Sequence, residues 1–264
     1  MSSQVSVYFI GAGPGALDLL TLRAWKIIQE ADLILCADSL VNPRIAELAK
    51  PGAQMLGSAR MALEEVTELM VKTAREGRLV ARVHSGDPSI YGAIGEQMHA
   101  LAEAGIGFAV VPGVSSLFGA AAALGVELTI PQVSQTVIVT RAEGRTGVPE
   151  RERLRDLARH QSTMAVFLSV GMVEKVVGEL TEGGYPWDTP AAVVYRATWP
   201  EQLVMRGTIS EIASAVRAAG ISRQALILVG EALRPQELGH GSPRSRLYSP
   251  DFRHSYRGGA DEKA

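Results

Sequence analysis

Ser85-Gly86-Asp87-Pro88 brings together residue types well suited to holding a ligand. A hydroxyl, a glycine and a carboxylate stand where an apolar run, Leu79-Val80-Ala81-Arg82-Val83, gives way to a helical pattern from Ser89 to Ala104. Gly86 permits a positive φ or a close approach to something bound. Asp87 suits an N-cap, and Pro88 the first helical position, where a missing N–H costs nothing. Two readings fit: a ligand turn, and a well-capped strand-to-helix turn with no ligand. Gly11-Ala12-Gly13-Pro14-Gly15 and Pro112-Gly113-Val114-Ser115-Ser116 have the same character, and all three stretches lack Lys and Arg. Such loops suit a cofactor without phosphates, recognised by backbone groups and a carboxylate. A sulfonium nucleoside meets that description better than a dinucleotide, whose pyrophosphate favours a helix N-terminus with free N–H groups.

The dinucleotide alternative needs weighing, because Gly11-Ala12-Gly13-Pro14-Gly15-Ala16 satisfies G-x-G-x-x-G/A after an apolar run. Pro14 removes one N–H from that cradle. The acidic ribose partner is also misplaced: Asp32 precedes the second apolar run, and Asp38 follows it late. Metal chemistry finds no constellation, since the five His are scattered and Cys36 stands alone. There is no G-x-S-x-G elbow and no P-loop Lys, and spacing nominates no facing pair of carboxylates.

The elements that must position these loops read as alternating strands and helices. Val5 to Ile10, Leu33 to Cys36, Leu79 to Val83 and Phe108 to Val111 are apolar runs of strand length. Between them, helical spacing covers Asp18 to Glu30, Ser58 (as cap) to Glu76, and Ser89 to Ala104, and Leu117 to Leu124 follows the last. The loops then fall at carboxyl ends of strands, where open α/β sheets bind ligands. Pro131-Gln132-Val133-Ser134 breaks the pattern, so residues 1–130 and 131–233 read as two α/β domains. In the second, strands are expected at Thr136 to Thr140, Met164 to Ser169, Ala191 to Tyr195, Glu201 to Ile209 and Ala225 to Val229. Helices are expected at Arg151 to His160, Met172 to Leu180, and from a Ser210 cap to Ala219. Residues 234–264, rich in Gly, Pro, Ser and charge, read as an extended or partly disordered tail.

At 264 residues, 47% hydrophobic and 20% charged, the composition is that of a globular chain. A formal charge of −2 without a basic stripe argues against nucleic-acid binding. No run approaches the roughly 20 apolar residues of a membrane span. The lone cysteine and the absence of a leader pattern point to the cytoplasm.

Taken together and in order, Val7-Tyr8-Phe9-Ile10-Gly11-Ala12-Gly13-Pro14-Gly15 with Leu19-Leu20-Thr21-Leu22-Arg23-Ala24, then Ser85-Gly86-Asp87-Pro88, then Val111-Pro112-Gly113-Val114-Ser115-Ser116, resemble the tetrapyrrole (uroporphyrin-III C/precorrin) methyltransferase family. Four stretches place the likeness in the corrin branch leading to cobalamin: Ala37-Asp38-Ser39-Leu40-Val41, Arg82 to Pro88, Thr140 to Thr146, and Val194-Tyr195-Arg196-Ala197-Thr198-Trp199-Pro200. The resemblance runs from Val5 to about Leu233.

The resemblance implies a homodimer of subunits with the tetrapyrrole methylase fold: two α/β domains with mixed sheets forming a cleft that binds S-adenosylmethionine. The implied reaction is methyl transfer to C11 of precorrin-4, giving precorrin-5 and S-adenosylhomocysteine, with cobalt-precorrin-4 as the alternative substrate. More distant alternatives are a Rossmann NAD(P) or flavin oxidoreductase and a non-catalytic tetrapyrrole carrier. Carried over by position, cofactor contacts fall on Pro14, Ser85, Gly86, Asp87, Ile90, Ser115, Ser116, Leu168, Ser169, Ala197 and Ala225. Gly13 and Gly15 then border the tetrapyrrole, whose acetate and propionate groups call for cations, with Arg60, Arg141 and Arg145 as candidates. Asp38 and Glu143 are candidates for a base that takes up a proton. No metal is expected.

Overall fold

The computed structural model describes residues 5–234 together with Ser245, Arg246, Ser249, Phe252 and Arg253. The expected C-terminal tail therefore lies almost wholly outside the described residues. The chain divides into two compact units. Unit 1 is Met1–Leu124 with Val194–Leu203, and unit 2 is Gly125–Val193 with Val204–Ala264.

Unit 1 is built on a five-stranded sheet formed by β1 (Val5–Gly11), β2 (Leu33–Cys36), β3 (Gln54–Gly57), β4 (Val80–His84) and β5 (Gly107–Val111), in the order β3-β2-β4-β1-β5. Every pairing is parallel. All five carboxyl ends therefore share one edge. Side chains alternate between two cores. Ile10, Ile34, Ala81 and Val83 pack with Ala24 and Ile28 of α1 (Leu22–Glu30). Val7, Phe9, Leu33 and Leu35 pack with Val66 and Met70 of α2 (Leu63–Arg75) and Leu101 of α3 (Ile94–Glu103). Burial on both faces accounts for the near-continuous apolar runs read in the sequence.

In unit 1, three helix starts differ from the sequence expectation. The Gly-rich loop leads first into a 3-10 turn at Leu17–Leu19, and α1 begins only after Thr21, whose Oγ1 accepts the Ala24 N–H. Ser58 does not cap α2; Ala62 holds that position, with Glu65 reaching back to its N–H. Pro88 to Tyr91 is a turn, and α3 waits until Ile94, after Ala93 at φ 49°. The small-residue helix α4 (Ser116–Leu124) begins close to where its sequence predicts.

Unit 2 carries a second five-stranded sheet, ordered β6-β7-β10-β8-β9, from β6 (Val137–Arg141), β7 (Thr163–Phe167), β8 (Pro190–Tyr195), β9 (Leu203–Thr208) and β10 (Ala225–Val229). It is mixed: β6 runs parallel to β7, and β10 antiparallel to it. Its core joins Met164, Val166, Val193, Ile227 and Val229 to Leu154 of α5 (Leu154–Ala158), Val176 and Leu180 of α6 (Val173–Glu182), and Ile212 and Val216 of α7 (Ile209–Ala218). The α7 cap is Thr208 rather than Ser210, with its N–H held by Glu211. Among the described residues no helix is long and apolar enough to cross a membrane.

Candidate functional site

The carboxyl edge of the parallel sheet in unit 1 carries three loops in close backbone approach, two of them hydrogen-bonded backbone to backbone. Ala12 N–H donates to the His84 carbonyl at 2.8 Å, and Gly13 and Gly86 exchange N–H···O bonds at 3.2 and 2.8 Å. Gly13 and Gly86 both lie at positive φ, 73° and 62°. A Cβ on Gly11 would stand 2.6 Å from the Gly113 backbone and from the Gly86 carbonyl. Only glycines let three segments meet this closely.

Asp87 ties the arrangement together. Its Oδ2 accepts the Gly113 N–H at 2.9 Å, and its Oδ1 accepts the Ser89 N–H at 2.8 Å and the Ser89 hydroxyl. Burial works against its charge, but the bonds from Ser89 and Gly113 prevail and hold its pKa below the usual carboxylate value. Ser115 is buried and caps the turn by accepting the Leu117 N–H. Ile90 is on the same loop, exposed, with its N–H on the Asp87 carbonyl.

Residues 194–203, far along the chain, complete this loop cluster. The Trp199 indole N–H donates to the Pro14 carbonyl at 2.9 Å, and Thr198 Oγ1 accepts the Ala16 N–H at 3.0 Å. A Cβ on Gly15 would overlap the indole, and one on Gly119 would meet Pro14 at 2.8 Å and Ala197 at 3.5 Å. Asn42 adds a bond to the Gly15 carbonyl at 2.9 Å. These partners were not visible in the sequence; the usable signal was the aromatic, turn-forming run Tyr195 to Pro200 between two strands. Gly13, Pro14, Gly15, Ser85, Gly86, Asp87, Ile90, Ser115, Ser116 and Ala197 thus come together in unit 1.

In unit 2 a second set shares one sheet end. Arg141 lies opposite Phe167 across the parallel β6–β7 pair, and Leu168 and Ser169 follow directly. The antiparallel register that matches Ile227 with Val166 brings Ala225, the first residue of β10, to the same end. Leu168 is 59% exposed and left-handed at φ 55°, while Ser169 is fully buried, its hydroxyl donating to Phe167 O and accepting the Ala142 N–H. Left-handed non-glycine residues cost roughly 1–3 kcal/mol each and gather at functional sites. Tyr91, Ala93, Leu168, Arg196 and Thr198 all lie on or beside the stretches above.

The remaining candidates are placed as follows. Asp38 is exposed; its Oδ1 accepts the Ala59 N–H at 2.8 Å, next to exposed Arg60. Glu143 is half-buried and its carbonyl accepts Lys175 Nζ. The Arg141 guanidinium turns onto its own loop, donating to the carbonyls of Ala142, Thr146 and Gly147. Arg145 is exposed.

Beneath the loops, Arg82 is buried and donates to Gln97 Oε1, Leu35 O and Ser58 Oγ. Burial lowers its pKa to about 10 and raises that of Cys36 to about 12. His84 is 4% exposed, and its Nε2 is buried with no hydrogen-bond partner among the described residues. Burial, then the nearby Arg82 charge, pushes its pKa down to about 3, so the imidazole is neutral. Among the described residues no group of three or more His, Cys, Asp or Glu could hold a metal ion.

Comparison with known proteins places this geometry. A cobalt-precorrin-4 C(11)-methyltransferase of Methanocaldococcus jannaschii is 52% identical over 97% of this chain and 98% of its own length. A precorrin-4 C(11)-methyltransferase of Pseudomonas aeruginosa is 48% identical over 97% of this chain and all of its own. The X-ray structure of a cobalt precorrin-4 methyltransferase, described as a cobalamin biosynthetic enzyme, superposes with a TM-score of 0.85 at 52% identity, covering 87% of this chain and 96% of that one. A uroporphyrin-III C-methyltransferase of Thermus thermophilus, solved with S-adenosyl homocysteine, gives 0.72 at 31% identity, covering 86% and 93%. The model of the tetrapyrrole (corrin/porphyrin) methylases matches residues 6–213, and the chain belongs to that family.

Proposed function

We propose that this protein is an S-adenosylmethionine-dependent C-methyltransferase of cobalamin biosynthesis that methylates C11 of precorrin-4, giving precorrin-5 and S-adenosylhomocysteine. The observation that carries this reading is the near-full-length identity to C11-methyltransferases, 48% over 97% of the chain to the one named for precorrin-4. The same transfer to cobalt-precorrin-4 is the second reading, favoured because the relative at 52% identity and the solved structure of equal identity are both named for the cobalt substrate.

The loops fit the donor. They offer backbone groups and no Lys or Arg, as suits a nucleoside without phosphates. They do not favour a dinucleotide, because α1 starts at Leu22, seven residues beyond Gly15, so the Gly-rich loop does not open directly into that helix as a dinucleotide cradle does. S-adenosylmethionine supplies a methyl group already activated on a sulfonium. In our reading Pro14, Ser85, Gly86, Asp87, Ile90, Ser115, Ser116 and Ala197, with Leu168, Ser169 and Ala225, hold it. Asp87 acts by fixing the loops, since both its oxygens are engaged within the protein. Ser169, fully buried, contributes by shaping the strand end. The residues' task is alignment, bringing acceptor carbon and methyl to within about 3–3.5 Å. Gly13 and Gly15 border the tetrapyrrole, Arg60, Arg141 and Arg145 supply positive charge, and Asp38 or Glu143 takes up the proton. No metal of the protein's own enters this scheme, and the assembly is a homodimer.

Calorimetric titration with S-adenosylhomocysteine, then methyl transfer from labelled S-adenosylmethionine to precorrin-4 and to cobalt-precorrin-4, tests the reading. Micromolar binding and incorporation into either tetrapyrrole are expected. NADH binding without any response to S-adenosylhomocysteine would defeat it. Sedimentation velocity on the same sample tests the homodimer.

A further inference from the structure

Arg196 is held unlike the three arginines nominated from the sequence. Its guanidinium carbon lies 5.0 Å from the Trp199 ring centre and 5.3 Å from that of Tyr195. Both distances are within cation–π range. The Trp199 ring is itself fixed: its N–H is on the Pro14 carbonyl, and its edge fills the space that Gly15 leaves open. The guanidinium is thus anchored through one aromatic ring to the loop assigned above to the tetrapyrrole border.

The backbone supports the same reading. Arg196 is left-handed at φ 45° and Thr198 at φ 69°, two unfavourable conformations in three residues. Thr198 uses its conformation to cap the Ala16 N–H; that of Arg196 sets the side chain over the rings. The ion pair with Glu201, at 3.6 Å between an Arg196 side chain 28% exposed and a Glu201 side chain 59% exposed, is a surface pair of the kind worth little. Such a pair does not by itself keep the guanidinium from a carboxylate of better geometry.

A planar guanidinium with restrained rotamers loses little entropy when it binds a carboxylate through two parallel N–H···O bonds. Arg141 has turned its donors onto three carbonyls of its own loop, and Arg60 and Arg145 are exposed. We infer that Arg196, seated on Tyr195 and Trp199 beside the Gly13–Gly15 loop, binds a carboxylate of the tetrapyrrole's acetate or propionate side chains and so sets how the macrocycle is presented. This rests on the methyltransferase reading above. It differs from a role toward the methyl donor, whose amino-acid end also carries a carboxylate.

The test uses the full-length protein with Arg196→Met, which keeps the length and loses the charge, and Arg196→Lys, which keeps the charge and loses the fork. Precorrin-4 and cobalt-precorrin-4 serve as acceptors, and S-adenosylhomocysteine affinity is measured by calorimetry. R196M should raise the tetrapyrrole KM about ten-fold or more. R196K should fall between R196M and wild type, and S-adenosylhomocysteine affinity should stay within about two-fold in both. The tetrapyrrole KM of wild type should rise with salt more steeply than that of R196M. Glu201→Gln should leave KM unchanged or lower it. An unchanged KM in R196M, or a loss of S-adenosylhomocysteine affinity matching the KM rise, would overturn the inference. Wild-type protein that transfers no methyl group to either tetrapyrrole overturns the functional reading instead.

Discussion

A buried imidazole with an unpartnered nitrogen is an unusual thing to place at the carboxyl edge of a parallel sheet. His84 ends β4, pairs with Gly11, and gives its carbonyl to Ala12, so its backbone helps hold the Gly-rich loop. Its side chain is sealed in near Phe9 and Arg82, and burial lowers its pKa from 6.5 to about 3. The unfolded chain binds a proton at this position below pH 6.5, and the folded chain does not until about pH 3. The stability that comes with a neutral His84 is therefore complete above pH 6.5 and is lost as pH falls through that window. The difference amounts to about 2 kcal/mol by pH 5. Urea unfolding of wild type and His84→Leu at pH 7 and pH 5 measures it. H84L should gain on wild type at the lower pH, and parallel curves would show that His84 titrates normally. At this scale the glycines, Asp87 and the serines were legible, because their types restrict what they can do. Asp87's bond to Gly113 was not, because it joins residues 26 apart that only the sheet order brings together.

At the scale of elements, α3 starts late because the turn that Asp87 caps does not run on into it. Asp87 Oδ1 accepts the Ser89 N–H as an N-cap would, but Tyr91 and Ala93 are left-handed at φ 55° and 49°, which breaks a right-handed helix there. The helix therefore begins only at Ile94. Strand β3 leaves little signal in the sequence for a different reason: Gln54-Met55-Leu56-Gly57 is short and lies at the sheet edge, with neither a full apolar run nor clear alternation. Strands β2, β4, β7, β8 and β10 are plain in the sequence because each is buried on both faces. Glycines divide by element in a way that can be measured. A Cβ on Gly113 would fall on the Gly86 carbonyl and 2.7 Å from Gly11 Cα, all backbone that cannot yield. Gly178, inside α6, has nothing within 4 Å of the same position. Gly113→Ala should lower the thermal midpoint and abolish S-adenosylhomocysteine binding. Gly178→Ala should stabilise by about 0.5–1 kcal/mol through helix propensity, with binding unchanged. Normal binding by G113A would show that the close approach of the three loops is not needed for the site.

Across the whole molecule, the chain does not keep its two units as two consecutive stretches. Unit 1 takes back Val194–Leu203 after the chain has built most of unit 2, and β8 itself is divided, its first residues counted with unit 2 and Val194 and Tyr195 with unit 1. Sequence order gives no hint of this, because the return is held by contacts far apart in the chain, among them the hydrogen bonds of Trp199 to Pro14 and of Ala16 to Thr198, which span more than 180 residues. One consequence concerns folding. Melting unit 1 frees Trp199 and Thr198 and removes the continuation of a strand in the second sheet, so the two units should unfold together. Trp25 and Trp199 belong to unit 1 and Trp187 to unit 2, so Trp187→Phe leaves fluorescence that reports unit 1 alone. Urea unfolding of W187F followed by fluorescence should coincide with its far-UV circular dichroism, which reports the entire chain. S-adenosylhomocysteine at about 100 times its Kd should move both curves by the same amount, equivalent to about 2.7 kcal/mol. A fluorescence transition that precedes the dichroism transition, or a ligand shift confined to one probe, would mean that the returning segment does not couple the units.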